Sequence, residues 1–200
     1  AVSRHTRRRF LAWCDAAPER VKVLPNTFSP RFAAGAKPPH LVERYGCGGR
    51  KIILTVGRLS SEERYKGHDR IISVLPKVRA AVPTALYMIA GSGGDRARLE
   101  ALARAEGVAD HVRFLGEVPE PELAGHFALA DVFAMPSTGE GFGIVFLEAA
   151  ASGLPVIAGN RDGSADALAD GALGALIDPL DPDALVTAIV AALQSNRRHA

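Results

Sequence analysis

Residues 85–94 read Ala85-Leu86-Tyr87-Met88-Ile89-Ala90-Gly91-Ser92-Gly93-Gly94, an apolar run that ends in a glycine turn and opens onto the helical pattern Asp95–Glu106. A run without a polar face is what a strand buried on both sides of a parallel sheet requires. The same succession of strand, turn and amphipathic segment recurs in both directions. Strands are expected at Val21–Leu24, Lys51–Val56, Ala85–Ala90, His111–Phe114, Val132–Met135, Val156–Ala158 and Gly174–Ile177. Helices are expected from about Arg4 to Asp15 and at His68–Ala81, Asp95–Glu106, Glu120–Leu129, Ile144–Ala151 and Asp183–Leu193. Pro76 lies inside the second of these and is expected to kink it, because proline removes a donor and clashes with the preceding turn. The alternation predicts an α/β fold, a Rossmann-like three-layer parallel sheet with helices on both faces.

Composition narrows the function. The 200 residues are 48% hydrophobic, enough for a sizeable core. The net charge of +2, from 24 basic and 22 acidic residues, is too balanced for nucleic acid as the main partner. Cys14 and Cys47 form no C-x-x-C and have no companion His cluster, so no metal site or disulfide framework is expected, and a reducing cytoplasm fits. The apolar runs are too short to span a membrane, and the basic start Arg4-His5-Thr6-Arg7-Arg8-Arg9 is not followed by the apolar region of a leader. That basic run reads either as a solvated helix face or as a contact for anionic lipid headgroups. Beyond it, Pro25-Asn26, Ser29-Pro30 and Pro38-Pro39 mark a linker entering a domain, and the polar stretch Gln194-Ser195-Asn196-Arg197-Arg198-His199 closes the sequence.

The chemistry concentrates at Gly139-Glu140-Gly141-Phe142-Gly143-Ile144-Val145-Phe146-Leu147-Glu148. Glycines let backbone amides approach a ligand, and the helix expected to begin at Ile144 leaves unpaired N–H groups and a partial positive charge at its start. Two carboxylates around such a turn match vicinal diols, since each accepts two hydroxyl donors. Two solvated glutamates flanking a tight turn would give the same spacing. Gly57-Arg58 follows the strand Lys51–Val56, and Lys66-Gly67 opens the next helix, so both cations belong at the carboxyl edge of the sheet. There Arg forks onto phosphate oxygens and Lys adds a mobile charge, a pair suited to a diphosphate and to stabilising a leaving one. Solvated charges facing Glu62 and Glu63 are the alternative. The turn from Gly91 to Gly94 is an incomplete G-x-G-x-x-G, with Arg96 where the third glycine belongs. In Leu115-Gly116-Glu117-Val118, after the strand His111–Phe114, backbone amides and an apolar side chain are placed to sandwich a base. Asp162-Gly163-Ser164 either closes the phosphate end of the cleft or is an ordinary loop, and His68, His111 and His126 read as surface or structural rather than catalytic.

Taken together, the chain resembles the nucleotide-binding carboxyl-terminal half of the family 4 retaining glycosyltransferases, which have the two-domain GT-B fold. The resemblance runs from about Val21 to Leu193 through Leu24-Pro25-Asn26, Val56-Gly57-Arg58-Leu59, Tyr65-Lys66-Gly67-His68, Ile89-Ala90-Gly91-Ser92-Gly93, Val112-Arg113-Phe114-Leu115-Gly116, Ala130-Asp131-Val132-Phe133, Met135-Pro136-Ser137, the E-x7-E segment and Ala150-Ala151-Ser152-Gly153-Leu154-Pro155-Val156-Ile157-Ala158. It implies that Arg58 and Lys66 hold the diphosphate of a UDP- or GDP-sugar, that Glu140 and the amides of Gly141, Phe142 and Gly143 hold the sugar, with Ile144 beside them, and that Glu148 holds the ribose. Gly57, Gly91, Leu115 and Val118 would complete the donor site. Arg58, Lys66 and Glu140 would act in catalysis, by same-face departure and attack with retention and without a metal or other cofactor. Residues 1–24 would then be the end of an amino-terminal domain plus linker, and 25–200 the donor domain without its final crossover helix. The acceptor, a sugar or lipid, would sit on an amino-terminal domain outside this sequence, so that this half alone is expected to be inactive. Such enzymes build polysaccharides or glycolipids in the cytoplasm, in places peripherally on the inner membrane face. Three departures stand out: Asn26-Thr27-Phe28-Ser29 replaces the familiar Asn-Gly-Val-Asp, the loop from Arg58 to Lys66 is longer than the family's shortest form, and the acceptor domain is lacking. Two other functions fit parts of the sequence, a non-catalytic nucleotide-binding module and, from the Gly91–Gly94 turn, a nicotinamide-dependent oxidoreductase.

Overall fold

The computed structural model describes residues 1–195. Asn196-Arg197-Arg198-His199 of the polar stretch therefore lies outside the described residues. Six strands form one sheet: β1 (Lys51–Val56), β2 (Ala85–Ala90), β3 (Val112–Gly116), β4 (Val132–Met135), β5 (Val156–Gly159) and β6 (Ala175–Ile177). Their order is β3-β2-β1-β4-β5-β6, and every pair is parallel. The order reverses between β1 and β4, so the chain leaves these neighbouring strands in opposite directions and a crevice opens at their carboxyl ends.

The helices are α1 (Arg4–Trp13), α2 (Pro39–Arg44), α3 (His68–Ala81), α4 (Arg96–Ala105), α5 (Glu120–Leu129), α6 (Ile144–Ala151), α7 (Ser164–Ala167) and α8 (Pro182–Gln194). Side chains alternate across each strand and so feed two cores. Ile52 and Leu54 face α2, α5 and α6 with Leu41, Phe127, Phe133 and Phe146. Ile53, Tyr87 and Ile89 face α3, α4 and α8 with Ile71, Leu75, Leu99, Leu185 and Ile189. Every residue of β2 is buried, as its unbroken apolar run requires.

Four expectations are corrected. Val21–Leu24 is extended but is not a strand: Ala1 donates to Lys22 O and accepts from the N–H of Leu24, the Arg7 side chain donates to Val21 O, and one residue of backbone pairing does not make a ladder. Pro38-Pro39 starts a helix, because proline at the first helical position loses only an N–H that had no partner there. α3 runs unbroken past Pro76, held to the sheet by buried Ile71, Ile72, Leu75 and Val78. β3 extends through Leu115 to Gly116 because a register shift at Ile89/Ala90 lets Ala90 pair with Gly116. Elsewhere the helix and strand ends move by a residue or two, the range over which terminal turns fray. Among the described residues no helix is long and apolar enough to cross a membrane.

Candidate active site at the β1/β4 crevice

Two loops face each other at the point where the strand order reverses. After β1 the chain passes Gly57 and Arg58, runs through a 3-10 segment Ser61–Lys66 and enters α3. After β4 it passes Ser137 and Glu140 and enters α6 from Gly143, whose left-handed φ of +82° suits glycine. Thr138 N–H donates to Tyr65 O at 2.9 Å and joins the loops by their backbones.

The side chains complete the junction. Lys66 Nζ donates to Glu140 Oε1 at 2.6 Å, and both side chains are nearly buried, at 13% and 12% exposure. Arg58, at the rim, pairs with Glu63, whose second oxygen is 3.7 Å from Lys66 Nζ. Of the two acids that the alternative reading sets against these cations, Glu63 meets both, and its side chain is only 11% exposed.

Glu140 is held by its backbone. Its N–H donates to Asp162 Oδ2 at 2.7 Å, and its carbonyl accepts from Gly163 N–H at 2.8 Å. Asp162 is buried and also accepts from Ser137 Oγ at 2.7 Å and from Ser164 N–H at 2.9 Å. The carbonyl of Gly141 accepts from Ser3 Oγ at 2.6 Å and Thr6 Oγ1 at 3.1 Å, so α1 also pins the loop. Sequence reasoning missed Ser3 and Thr6, since nothing in their neighbourhoods signals the distant loop, and it quotes Ser137 only within a family motif, without its bond to Asp162. Asp162 left a trace: an acid just past a strand's carboxyl end. Among the described residues the N–H groups of Gly141, Phe142 and Gly143 have no acceptor. They remain available to a ligand at the start of α6.

Two pockets meet at Val56-Gly57-Arg58. The first, ≈ 430 Å³, is lined by Arg58, Lys66, Glu140 and the stretch from Gly141 to Ile144. The second, ≈ 370 Å³, is lined by Gly91, Ser92, Glu117, Val118 and Leu123. Two expected residues stand apart from both. Leu115 belongs to β3 and packs against the α5/α6 core. Glu148 lines neither pocket. Burial pushes its carboxyl up, Arg31 opposes this, and Glu120 at the start of α5 reinforces it. His68 is buried and contacts Tyr87 Oη at 3.3 Å, and burial, reinforced by Lys66, lowers it to about 4. It is a core histidine, as expected.

Residues 44–200 match the family described as glycosyl transferases group 1. The chain belongs to this family. A GDP-mannose-dependent alpha-(1-6)-phosphatidylinositol monomannoside mannosyltransferase of Mycolicibacterium smegmatis is 38% identical over the whole of this chain and 53% of its own length. A GDP-mannose-dependent monoacylated alpha-(1-6)-phosphatidylinositol monomannoside mannosyltransferase of Corynebacterium glutamicum is 31% identical, again over all of this chain and 53% of its own. The chain thus spans about half the length of these relatives. Among solved structures, WaaG, a glycosyltransferase involved in lipopolysaccharide biosynthesis, superposes with a TM-score of 0.82 at 28% identity, over 97% of this chain and 53% of its own. HepE of Anabaena, in complex with UDP and glucose, superposes at 0.86 over 99% of this chain and 54% of its own, and at 22% identity it attests the fold alone. The group 1 glycosyltransferase assignment, and with it the Rossmann-like half of a GT-B fold, stands as the sequence motifs implied. It displaces the nicotinamide reading of the Gly91–Gly94 turn, whose Gly91 N–H is spent on Gly116 O at 2.7 Å.

Proposed function

We propose that this chain is the donor-binding half of a retaining glycosyltransferase that moves a sugar from a nucleoside diphosphate to an acceptor held by another domain. The observation that carries this is the 2.6 Å contact of Lys66 Nζ with Glu140 Oε1, a cation and a carboxylate side by side in one cleft, which supports reading the first as a phosphate ligand and the second as a hydroxyl acceptor. Arg58 and Lys66 hold the diphosphate and offset the charge that grows on it as the sugar leaves, an interaction strongest in the transition state. Glu140 and the amides of Gly141 to Gly143 hold the sugar, and the pocket at Val118 receives the base. Retention follows from departure and attack on one face, and no residue here is assigned as a general base or metal ligand. GDP-mannose is the first donor to test, since two relatives covered over the whole chain carry that donor in their names. By the same names the acceptor to test first is a phosphatidylinositol monomannoside. Residues 1–24 are then the last part of the acceptor-binding domain, and Glu148 turns to the ribose.

Calorimetry with GDP, UDP and GDP-mannose tests this reading. Arg58→Ala/Lys66→Ala should weaken diphosphate binding at least about tenfold, ~1.4 kcal/mol, with folding retained. Full-strength binding by the double variant would sink the diphosphate assignment.

A further inference from the structure

Glu63 has no role in the reading above, yet it contacts both cations of the proposed diphosphate site. It lies in the 3-10 segment between Arg58 and Lys66, with φ −110° and ψ 23° that depart from helical values. One carboxylate oxygen accepts from Arg58 Nη2. The other has no hydrogen-bond partner and lies 3.7 Å from Lys66 Nζ. Its side chain is only 11% exposed, against 80% for Arg58. With Glu140 on the far side of Lys66, two cations face two carboxylates and the cluster is formally neutral.

We propose that Glu63 is an internal stand-in for a donor phosphate, which spans Arg58 and Lys66 until a nucleoside diphosphate displaces it. The proposal rests on the diphosphate reading of these two cations. A carboxylate and a phosphate both offer acceptor oxygens to a guanidinium and an ammonium. A nearly buried Lys66 without a countercharge would be costly, so Glu63 and Glu140 keep it in place. Displacement has a consequence for affinity: a ligand binds only the fraction of molecules whose cations are released, and its apparent Kd is the intrinsic Kd divided by that fraction. Neutralising Glu63 therefore tightens binding of a diphosphate and leaves a nucleoside unaffected.

The test uses the 200-residue chain and calorimetric titration with GDP, UDP, guanosine and uridine. Glu63→Gln should bind the better diphosphate about tenfold tighter, the gain expected when a competing state populated to ~90% is removed. Glu63→Ala should move the same way, and the exposed neighbour Glu62→Gln should not. Thermal melts establish that each variant is folded. Equal or weaker diphosphate binding in both Glu63 variants overturns the proposal, and so does a matching gain for the nucleosides. If binding is also indifferent to Arg58→Ala/Lys66→Ala, the diphosphate reading itself falls; if that double variant loses binding while the Glu63 variants gain none, only the stand-in role falls.

Discussion

Lys66 Nζ and Glu140 Oε1 lie 2.6 Å apart although the residues are 74 positions apart in sequence, one on each side of the β1/β4 crevice. Being nearly buried, the pair is costly to break on one side alone, because the remaining charge loses its partner. Lys66→Met and Glu140→Gln should each destabilise the fold, and the double variant by less than the sum. A double-mutant cycle in urea should give a coupling of about 0.5–3 kcal/mol. A coupling near zero would mean that the two side chains do not meet in solution.

Asp162→Asn should destabilise the chain and loosen the sugar loop. The two carboxylate oxygens of this buried residue accept from Glu140 N–H, Ser137 Oγ and Ser164 N–H. An amide has one acceptor oxygen, so its NH2 must face a donor. The cost should be about 1–3 kcal/mol, or roughly 3–10 °C in a thermal melt for a chain of this size. A wild-type midpoint would show that water or rearrangement replaces these bonds.

Gly163→Ala should be poorly tolerated, whereas Gly94→Ala should be nearly silent. A Cβ on Gly163 would sit 2.1 Å from Gly141 O, and one on Gly94 meets nothing within 4 Å. The first substitution pushes two backbone segments apart at the loop that presents Glu140, so donor binding and melting temperature should fall together. Equal melts for the two variants would contradict the close approach.

Stability should fall between pH 6.5 and pH 4 partly through His68. Its folded-state value is lowered to about 4 from 6.5, first by burial and then by Lys66. Within that window the unfolded chain binds the proton and the folded chain does not, so the contribution is complete above 6.5 and is lost toward 4. The full effect is roughly 3 kcal/mol. Urea midpoints across this range should drop more steeply for the wild type than for His68→Gln; parallel curves would show that His68 does not titrate in this way.

Glu148→Gln should melt at the wild-type temperature or above it. Burial already pushes this carboxyl up, and it has no hydrogen-bond or ion-pair partner among the described residues, so removing its charge relieves a cost. If it turns to the ribose, the same change weakens GDP binding. A lower melting temperature with unchanged binding would make Glu148 a structural residue only.

Local pattern carried much of this protein. The buried run Ala85–Ala90 and its relatives announced a parallel sheet because a strand covered on both faces has no polar side to show. The buried face of α3 follows from the 3.6-residue period, and the placing of Arg58, Lys66 and Glu140 at one edge of the sheet follows from their positions beyond strand ends. Other placements depended on partners that the sequence does not bring near. Val21–Leu24 has strand composition but lacks a neighbour to complete a ladder, and Leu115 was drawn into β3 by a register shift in β2. The clamp of Asp162 on Glu140, the hydroxyls of Ser3 and Thr6 on Gly141 O, and Glu63 between two cations all join loops remote in sequence or turn on one backbone bend. Periodicity and composition report which surface a residue buries, and they determined the layers and the edge that holds the site. Which charges meet across that edge is set by strand order, which only the folded chain decides.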